Sequence, residues 1–570
     1  MTFETIAQAF ELIDQDRMMT RLRRLCRFDR FQASDQINEA ADFVFSEIDA
    51  TGPARIDFQR HLLHETVRWW TFDPPTPWTP RKQTLALPDG LRLSLDQAPF
   101  LVAVNSAPLP SGRYRVRRPG RNPPTPSLCV VPGGQFDPDS LVADGVTAFV
   151  TNFPAARTQE GHYAGRIELP PNCGLTGFSV TDDVLARFET AADRQEEAEV
   201  GLEVGTGAPM PVLSWTLPGD VEGEIWVMAH LCHPRPGAND NASGVIGLLE
   251  ISDTLTRLWS AAKGRIRKTV RFISAPEFTG IAAFLHERIR ENARAPLPEA
   301  VVNLDMIGQN TARCGGLFRI ERAPDPYASA LTALAEHAVT AVFATTGHDW
   351  SPMPFHGYSD NSVFAGGAFA VPTVQFCHDR DAFNHSAGDS PDKICPAKMA
   401  AVVASAVCLV DTLAYGNGSA SAILEQWNKS EAAKTDAIAN FWCTRGYKAW
   451  SVDFASDRMN RLNMPTDGPA TPFAIRHVAP GPLNLRHLIA GLDPVLRRRV
   501  SARIADEKRF YARLLNAIIT YMFTADAETA PLRASFALEH PFAFADTELI
   551  SSVLTALPAT GGQARPGFVK

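Results

Sequence analysis

The rhythm of apolar and polar positions changes along this chain, and each change predicts a different set of elements. In ASDQINEAADFVFSEIDA (33–50), Ile37, Ala40, Ala41, Phe43 and Val44 can share one helical face. The first eighty residues therefore read as helices that end in the Trp/Pro-rich passage WWTFDPPTPWTP (69–80). From 84 to 205, short alternating segments such as LRLSLDQ and FLVAV, punctuated by Gly and Pro, predict a small β-rich module. Within it, LVADGVTAFVTN (141–152) and GLTGFSVTDDVLARF (174–188) read as helix–turn–strand pieces.

From 206 to 416, strand and helix alternate. EIWVMAH (224–230), TVRFISAPE (269–277), AVVNLDMIG (300–308) and VPTVQFC (371–377) are strand candidates. Helices are predicted from 241, near 280–292, at 326–342 and at 396–414. Such alternation predicts an α/β domain with a mostly parallel sheet flanked by helices. Ligands of such sheets bind beyond the C-terminal ends of the strands. His230 closes the first strand, Glu277 the next, and Asp305 lies near the end of the third. His385 follows the fourth in HDRDAFNHSAGD (378–389), and Asp240 opens a helix. The tail from 417 is mainly helical in pattern at 485–523, aromatic at 440–450, and reads as a further strand and helix at 534–557.

Composition narrows the function. The chain has 570 residues, enough for several cores, with 45% hydrophobic and 21% charged residues and a net charge of -8. That acidity argues against a general nucleic-acid binder. The basic runs at 17–30, 113–121 and 496–509 read as solvated faces. The N-terminus has early acids and no continuous apolar segment of a signal peptide, and no run approaches the roughly 20 apolar residues of a membrane span. The nine cysteines are scattered without a CxxC pair, which predicts reduced thiols and a cytoplasmic protein.

His230, Asp240, Glu277, Asp305 and His385 offer imidazole and carboxylate donors on one sheet edge. Zinc takes that set, and paired zincs need a bridging carboxylate, for which Asp240 is the natural choice. His230 and Asp305 would complete one metal, and His385 with a glutamate the other. Neither a GxSxG elbow nor a GxxxxGK[ST] phosphate loop competes.

HLCHPRPGANDNASGVIGLLE, FISAPEFTGIAAF, NLDMIG, SDNSVFAGGAFAVPTV and NHSAGDSPDKI, in that order and spacing, resemble the co-catalytic zinc aminopeptidases of the leucine aminopeptidase/glutamate carboxypeptidase II superfamily. The resemblance covers 206–416, with the helical part at 1–83 joining that domain. It implies one or two zinc ions and a peptide or aminoacyl substrate. A zinc-activated water, with Glu277 as general base, would release N-terminal residues. The insert at 84–205 is similar to a protease-associated domain, and 417–570 to a winged-helix-like module. That module would pack on the peptidase or build a homo-oligomer rather than bind DNA.

By this resemblance His230 and Asp305 hold one metal, Asp240 bridges, and His385 holds the other. The chain also departs from the family. Cys232 stands where the family has Asp in HxD, and Pro276-Glu277 stands where it has Glu-Glu. Glu277 is then either base or ligand. His233 is an extra imidazole that either replaces His230 or meets substrate. Asp360 resembles a substrate-pocket or supporting residue, Asp389 an orienting one, and Arg380 lies in a loop placed to anchor a peptide terminus. The missing second Glu leaves open a one-zinc glutaminyl-cyclase-like acyltransferase, with a metal-free binding protein as the non-enzymatic alternative.

Overall fold

The computed structural model describes residues 3–557 other than 50–54, 65–66, 122, 125, 262–266, 293–294, 328–329, 367–368, 416–419, 445–453, 457, 459–477, 479–480 and 539–545. The first strand, β1 (Arg55–His61), lies within the stretch expected to be helical. Its Ile56 and Phe58 alternate among charged residues, a pattern too short and polar to stand out.

A mixed sheet follows, ordered β3-β2-β10-β4-β5-β6-β9. It comprises β2 (Thr79–Ala86), β3 (Arg92–Leu93), β4 (Leu109–Arg117), β5 (Ser127–Val131), β6 (Ala148–Thr151), β9 (Thr176–Ser179) and β10 (Glu197–Gly205). A hairpin of β7 (Ala156–Thr158) and β8 (Gly161–Tyr163) projects from it. These strands have their own core around Leu128, Val130, Phe178 and Phe188.

The main sheet has the order β1-β11-β13-β12-β14-β17-β15-β16. Its later members are β11 (Met210–Leu217), β12 (Val221–His230), β13 (Lys268–Ala275), β14 (Ala300–Asp305), β15 (Leu317–Glu321), β16 (Trp350–Met353) and β17 (Thr373–Asp379). The centre, β13-β12-β14-β17, is parallel, while β1, β11 and β15 run antiparallel to a neighbour. Strands β15 and β16 escape the sequence pattern because both are short, and β16 is an edge strand that contains Pro352.

Central strands are buried on both faces, which is why they read as apolar runs. In β12, Ile225, Val227 and Ala229 enter one core, and Trp226 and Met228 the other. The first core packs on the helices 15–25, 244–261, 330–346 and 396–415. The helix 396–415 has a mean hydropathy of 1.7 over 18 residues, long and apolar enough to cross a membrane by length and composition. The expectation that no run comes close to that length fails here, yet the helix is a core element with Met399 to Val410 buried.

Among the described residues of 417–557 the regular elements are helices, at 420–443, 454–456, 485–490, 494–506, 509–524, 530–537 and 547–556. The strand expected after 534 is a helix as far as Ala537, and residues 445–450 of the aromatic stretch lie outside the described residues. This module is not free-standing. Its core includes Phe355 and Ala365 of the peptidase part, Asn516 Nδ2 donates to the Phe355 carbonyl, and Arg322 pairs with Glu431 at 2.8 Å.

Candidate metal centre and the cavity beside it

Parallel strands deliver the site. β12 ends on His230, β14 on Asp305, and β13 ends two residues before Glu277. Asp240 sits in the turn 238–243 that opens the helix 244–261, and His385 in the loop after β17.

Asp240 is the meeting point. Its Oδ1 lies 3.3 Å from His230 Nε2, which lies 3.4 Å from Asp305 Oδ1. Its Oδ2 lies 3.4 Å from His233 Nε2 and 3.1 Å from His385 Nε2. Two three-donor nests therefore share one carboxylate: His230, Asp240 and Asp305, and His233, Asp240 and His385. Donors held about 2.0–2.2 Å from a tetrahedral zinc stand roughly 3.3–3.6 Å apart, which the spacings here approach. Buried His233 Nε2 and Asp305 Oδ1 also lack a hydrogen-bond partner, as expected of atoms reserved for a cation. The mixed nitrogen and oxygen set suits zinc.

Each ring is fixed through its other nitrogen. His230 Nδ1 is 3.0 Å from the Cys232 carbonyl, and His233 Nδ1 is 2.8 Å from the Pro234 carbonyl. Both Nε2 atoms then face Asp240. Burial lowers the His233 pKa to about 3, against the pull of Asp240, so its imidazole is neutral and ready to ligate. For His230, burial also acts downward, but Asp305, Glu277 and Asp240 outweigh it and hold the pKa well above the ordinary value. That pocket of negative charge calls for a cation.

The asparagines around Asp240 knit the turn to β14. Asn241 Oδ1 accepts from Gly244 N and Met306 N, Asn239 Oδ1 from Gly308 N, and Ser243 Oγ from Ile307 N. Asp389 accepts from the backbone N–H groups of Asn239 and Asp240 at 2.8 and 3.0 Å, so it orients the bridge. Gly237 has φ +50°, and a Cβ there would come 2.5 Å from His233 Nδ1. Only glycine permits that approach.

Expectation and structure part at Glu277. Its carboxylate belongs to neither nest, and His233 takes the third place in the nest of His385. The reason is local: the chain turns at Phe278 (φ +57°), whose N–H donates to Asp360 Oδ1 at 2.6 Å, while the Glu277 N–H points to Cys232 Sγ at 3.2 Å. The Glu277 side chain lines the adjoining cavity. Burial, Asp305 and Asp240 raise its pKa despite His230. Burial and Glu277 push Asp360 to about 8, and its Oδ2 has no partner. Arg380 does not reach the site: it is exposed, leans 3.9 Å from Asp379, and lines no part of the cavity.

Sequence reasoning missed Arg30, read as part of a solvated basic run. It is fully buried and donates to the carbonyls of Leu231, Leu25 and Gly237 at 2.9, 2.9 and 3.0 Å. Arg17 and Arg21 of the same run pair with Glu250 and Asp253. The clue was the interleaving of Met18, Met19, Leu22 and Leu25.

The cavity beside the centre measures about 480 Å³. All three parts of the chain wall it. Glu277, Phe278 and His233 come from the peptidase part, Asn105 and Arg166 from the insert, and Arg486 and Tyr511 from the C-terminal helices. The insert also grips the His385 loop, since Arg166 N donates to the His385 carbonyl at 2.7 Å and Ala387 N to that of Ala164 at 2.9 Å.

Residues 213–410 match peptidase family M28. That stretch, 198 of the 570 residues, is similar to the M28 peptidase domain. The zinc aminopeptidase of Bacillus subtilis matches with a TM-score of 0.52 at 16% identity, over 70% of this chain and 95% of that one. A peptidase M28 precursor from Shewanella amazonensis gives 0.50 at 14% identity, over 72% and 95%. At such identities the likeness is one of fold. No curated protein matches in sequence. Both nests and Glu277 fall within the M28 domain, whereas Arg30, Arg166, Arg486 and Tyr511 lie outside it.

Proposed function

We propose that this protein is a zinc-dependent aminopeptidase, working in the cytoplasm, that releases N-terminal residues from peptides. The observation that carries the reading is the pair of nests sharing Asp240 beside a cavity into which Glu277 projects. Two nests favour the aminopeptidase over a one-zinc acyltransferase. The aminopeptidase function of the Bacillus subtilis protein of like fold supports the choice of the N-terminal bond, and the lack of a disulfide among the described cysteines supports the compartment.

Bound zinc supplies a Lewis acid for the scissile carbonyl and lowers the pKa of water toward about 7. The protein's own groups do the rest. Asp240 and Asp305 balance the cations, while the neutral His233 ring binds without first losing a proton. Glu277, whose raised pKa brings it nearer the working range of a base at neutral pH, takes the proton of the attacking water and returns it to the leaving amine. The Cys232 thiol holds the backbone of Glu277 in place.

Metal analysis together with a panel of peptides and aminoacyl anilides tests this. About two zinc ions per chain and chelator-sensitive release of the N-terminal residue are expected. A zinc-loaded protein that cleaves nothing in the panel would refute it.

A further inference from the structure

Three arginines line the cavity, and two are already engaged. Arg30 is saturated by backbone carbonyls. Arg166 pairs with Glu168 at 2.7 Å. Arg486 differs: its side chain is exposed to the cavity, and among the described residues no carboxylate pairs with it.

Its position is fixed by the fold. Arg486 lies on the helix 485–490, which Asn484 caps through His487 N while its Nδ2 donates to the Thr71 carbonyl at 2.9 Å. Leu483 and Leu485 anchor the segment in the C-terminal core. Gly481 packs on Trp70 so closely that a Cβ would come 2.3 Å from the ring. The guanidinium stands 5.8 Å from the centre of the Phe278 ring, one residue from the base Glu277. The unpaired cation therefore faces the same cavity as Glu277.

We propose that Arg486 binds the free C-terminal carboxylate of short peptides, so that the C-terminal module selects short free-acid substrates. This rests on the peptidase reading and names its substrate class. A cavity of about 480 Å³ is in the range of roughly 300–1,000 Å³ typical of small-ligand sites. A guanidinium is the cation best matched to a carboxylate, which it can meet with two parallel hydrogen bonds.

The test uses the full-length zinc-loaded protein and a non-cleavable dipeptide isostere in free-acid and carboxamide forms. Calorimetry should show the acid binding about tenfold to a hundredfold more tightly than the amide, the scale of a charge-assisted hydrogen bond. Arg486→Gln should abolish that preference, and Arg486→Lys should restore part of it. Equal binding of acid and amide to the unaltered protein overturns the proposal, as does a preference that survives in Arg486→Gln. With cleavable peptides the same loss should appear as a higher KM for the free acids. If the binding preference is present but no peptide is cleaved, the anchor stands and the peptidase reading falls.

Discussion

Arg30→Met tests whether the ligand loop depends on a cation outside the M28 domain. The guanidinium reaches both ends of the 231–237 loop, Leu231 just after His230 and Gly237 just before the turn that carries Asp240. Its backbone adds a two-way bridge to His233, with Arg30 N donating to the His233 carbonyl at 3.0 Å and the Arg30 carbonyl accepting from His233 N at 2.8 Å. Methionine fills similar space but leaves the Leu231, Leu25 and Gly237 carbonyls without their donor. At about 1 kcal/mol for each unpaired buried carbonyl, the loss is about 3 kcal/mol. Because the backbone bridge survives, the chain should still fold, with the loop loosened around His230 and His233. Zinc affinity, measured by competition with a chromophoric chelator, should fall about tenfold to a hundredfold, as when a group supporting a ligand is lost. The urea midpoint should drop as well. Zinc affinity within twofold of the unaltered protein, with an unchanged midpoint, would refute this account.

Glu277→Gln should reduce kcat by about a hundredfold to ten-thousandfold while the zinc content stays near two, and a loss of metal instead would make Glu277 a ligand. His233→Ala leaves the second nest with only Asp240 and His385, so metal analysis should find about one zinc per chain; two tightly bound ions would contradict it. Metal binding should release about one proton at neutral pH, because His230 is held protonated by its carboxylate neighbours whereas His233 is already neutral. Apparent affinity should therefore rise about tenfold per pH unit below the His230 pKa, and a flat profile from pH 6 to 8 would exclude this.

The parallel strands were legible because each is an apolar run closed by a polar residue, and strand ends are where such sheets bind ligands. His230, Asp240, Asp305 and His385 could be placed from that alone. What sequence could not decide was the choice between His233 and Glu277. That choice depends on the turn at Phe278 and on the carbonyl of Pro234, which aims the His233 ring. Arg30 was hidden for another reason. A buried guanidinium satisfied by backbone carbonyls leaves no acidic partner in the sequence to betray it, and its neighbours in the chain look like a surface helix. The cavity walls were the least legible part, since Arg166, Arg486 and Tyr511 meet across more than three hundred positions and no periodicity reports such a meeting.

That meeting bears on how the site can be assembled. His385 lies on a loop at the rim, its side chain half exposed, and positive φ at both Arg380 and His385 shows how sharply this loop turns. Within the M28 domain Asp389 steadies its far end. The near side is held from the insert, by Arg166 N on the His385 carbonyl, by Tyr163 against Phe383 at 5.6 Å, and by Glu160 on Lys393 at 3.0 Å. Gly165 makes the close approach feasible, since a Cβ there would collide with the Pro154 carbonyl. The second nest is therefore completed only when insert and peptidase core are docked. The first nest, built from strand ends and a helix start within one core, needs no such help. The two metal positions should then differ in strength, with the nest of His230 and Asp305 filling first and the nest of His233 and His385 depending on the grip of the insert.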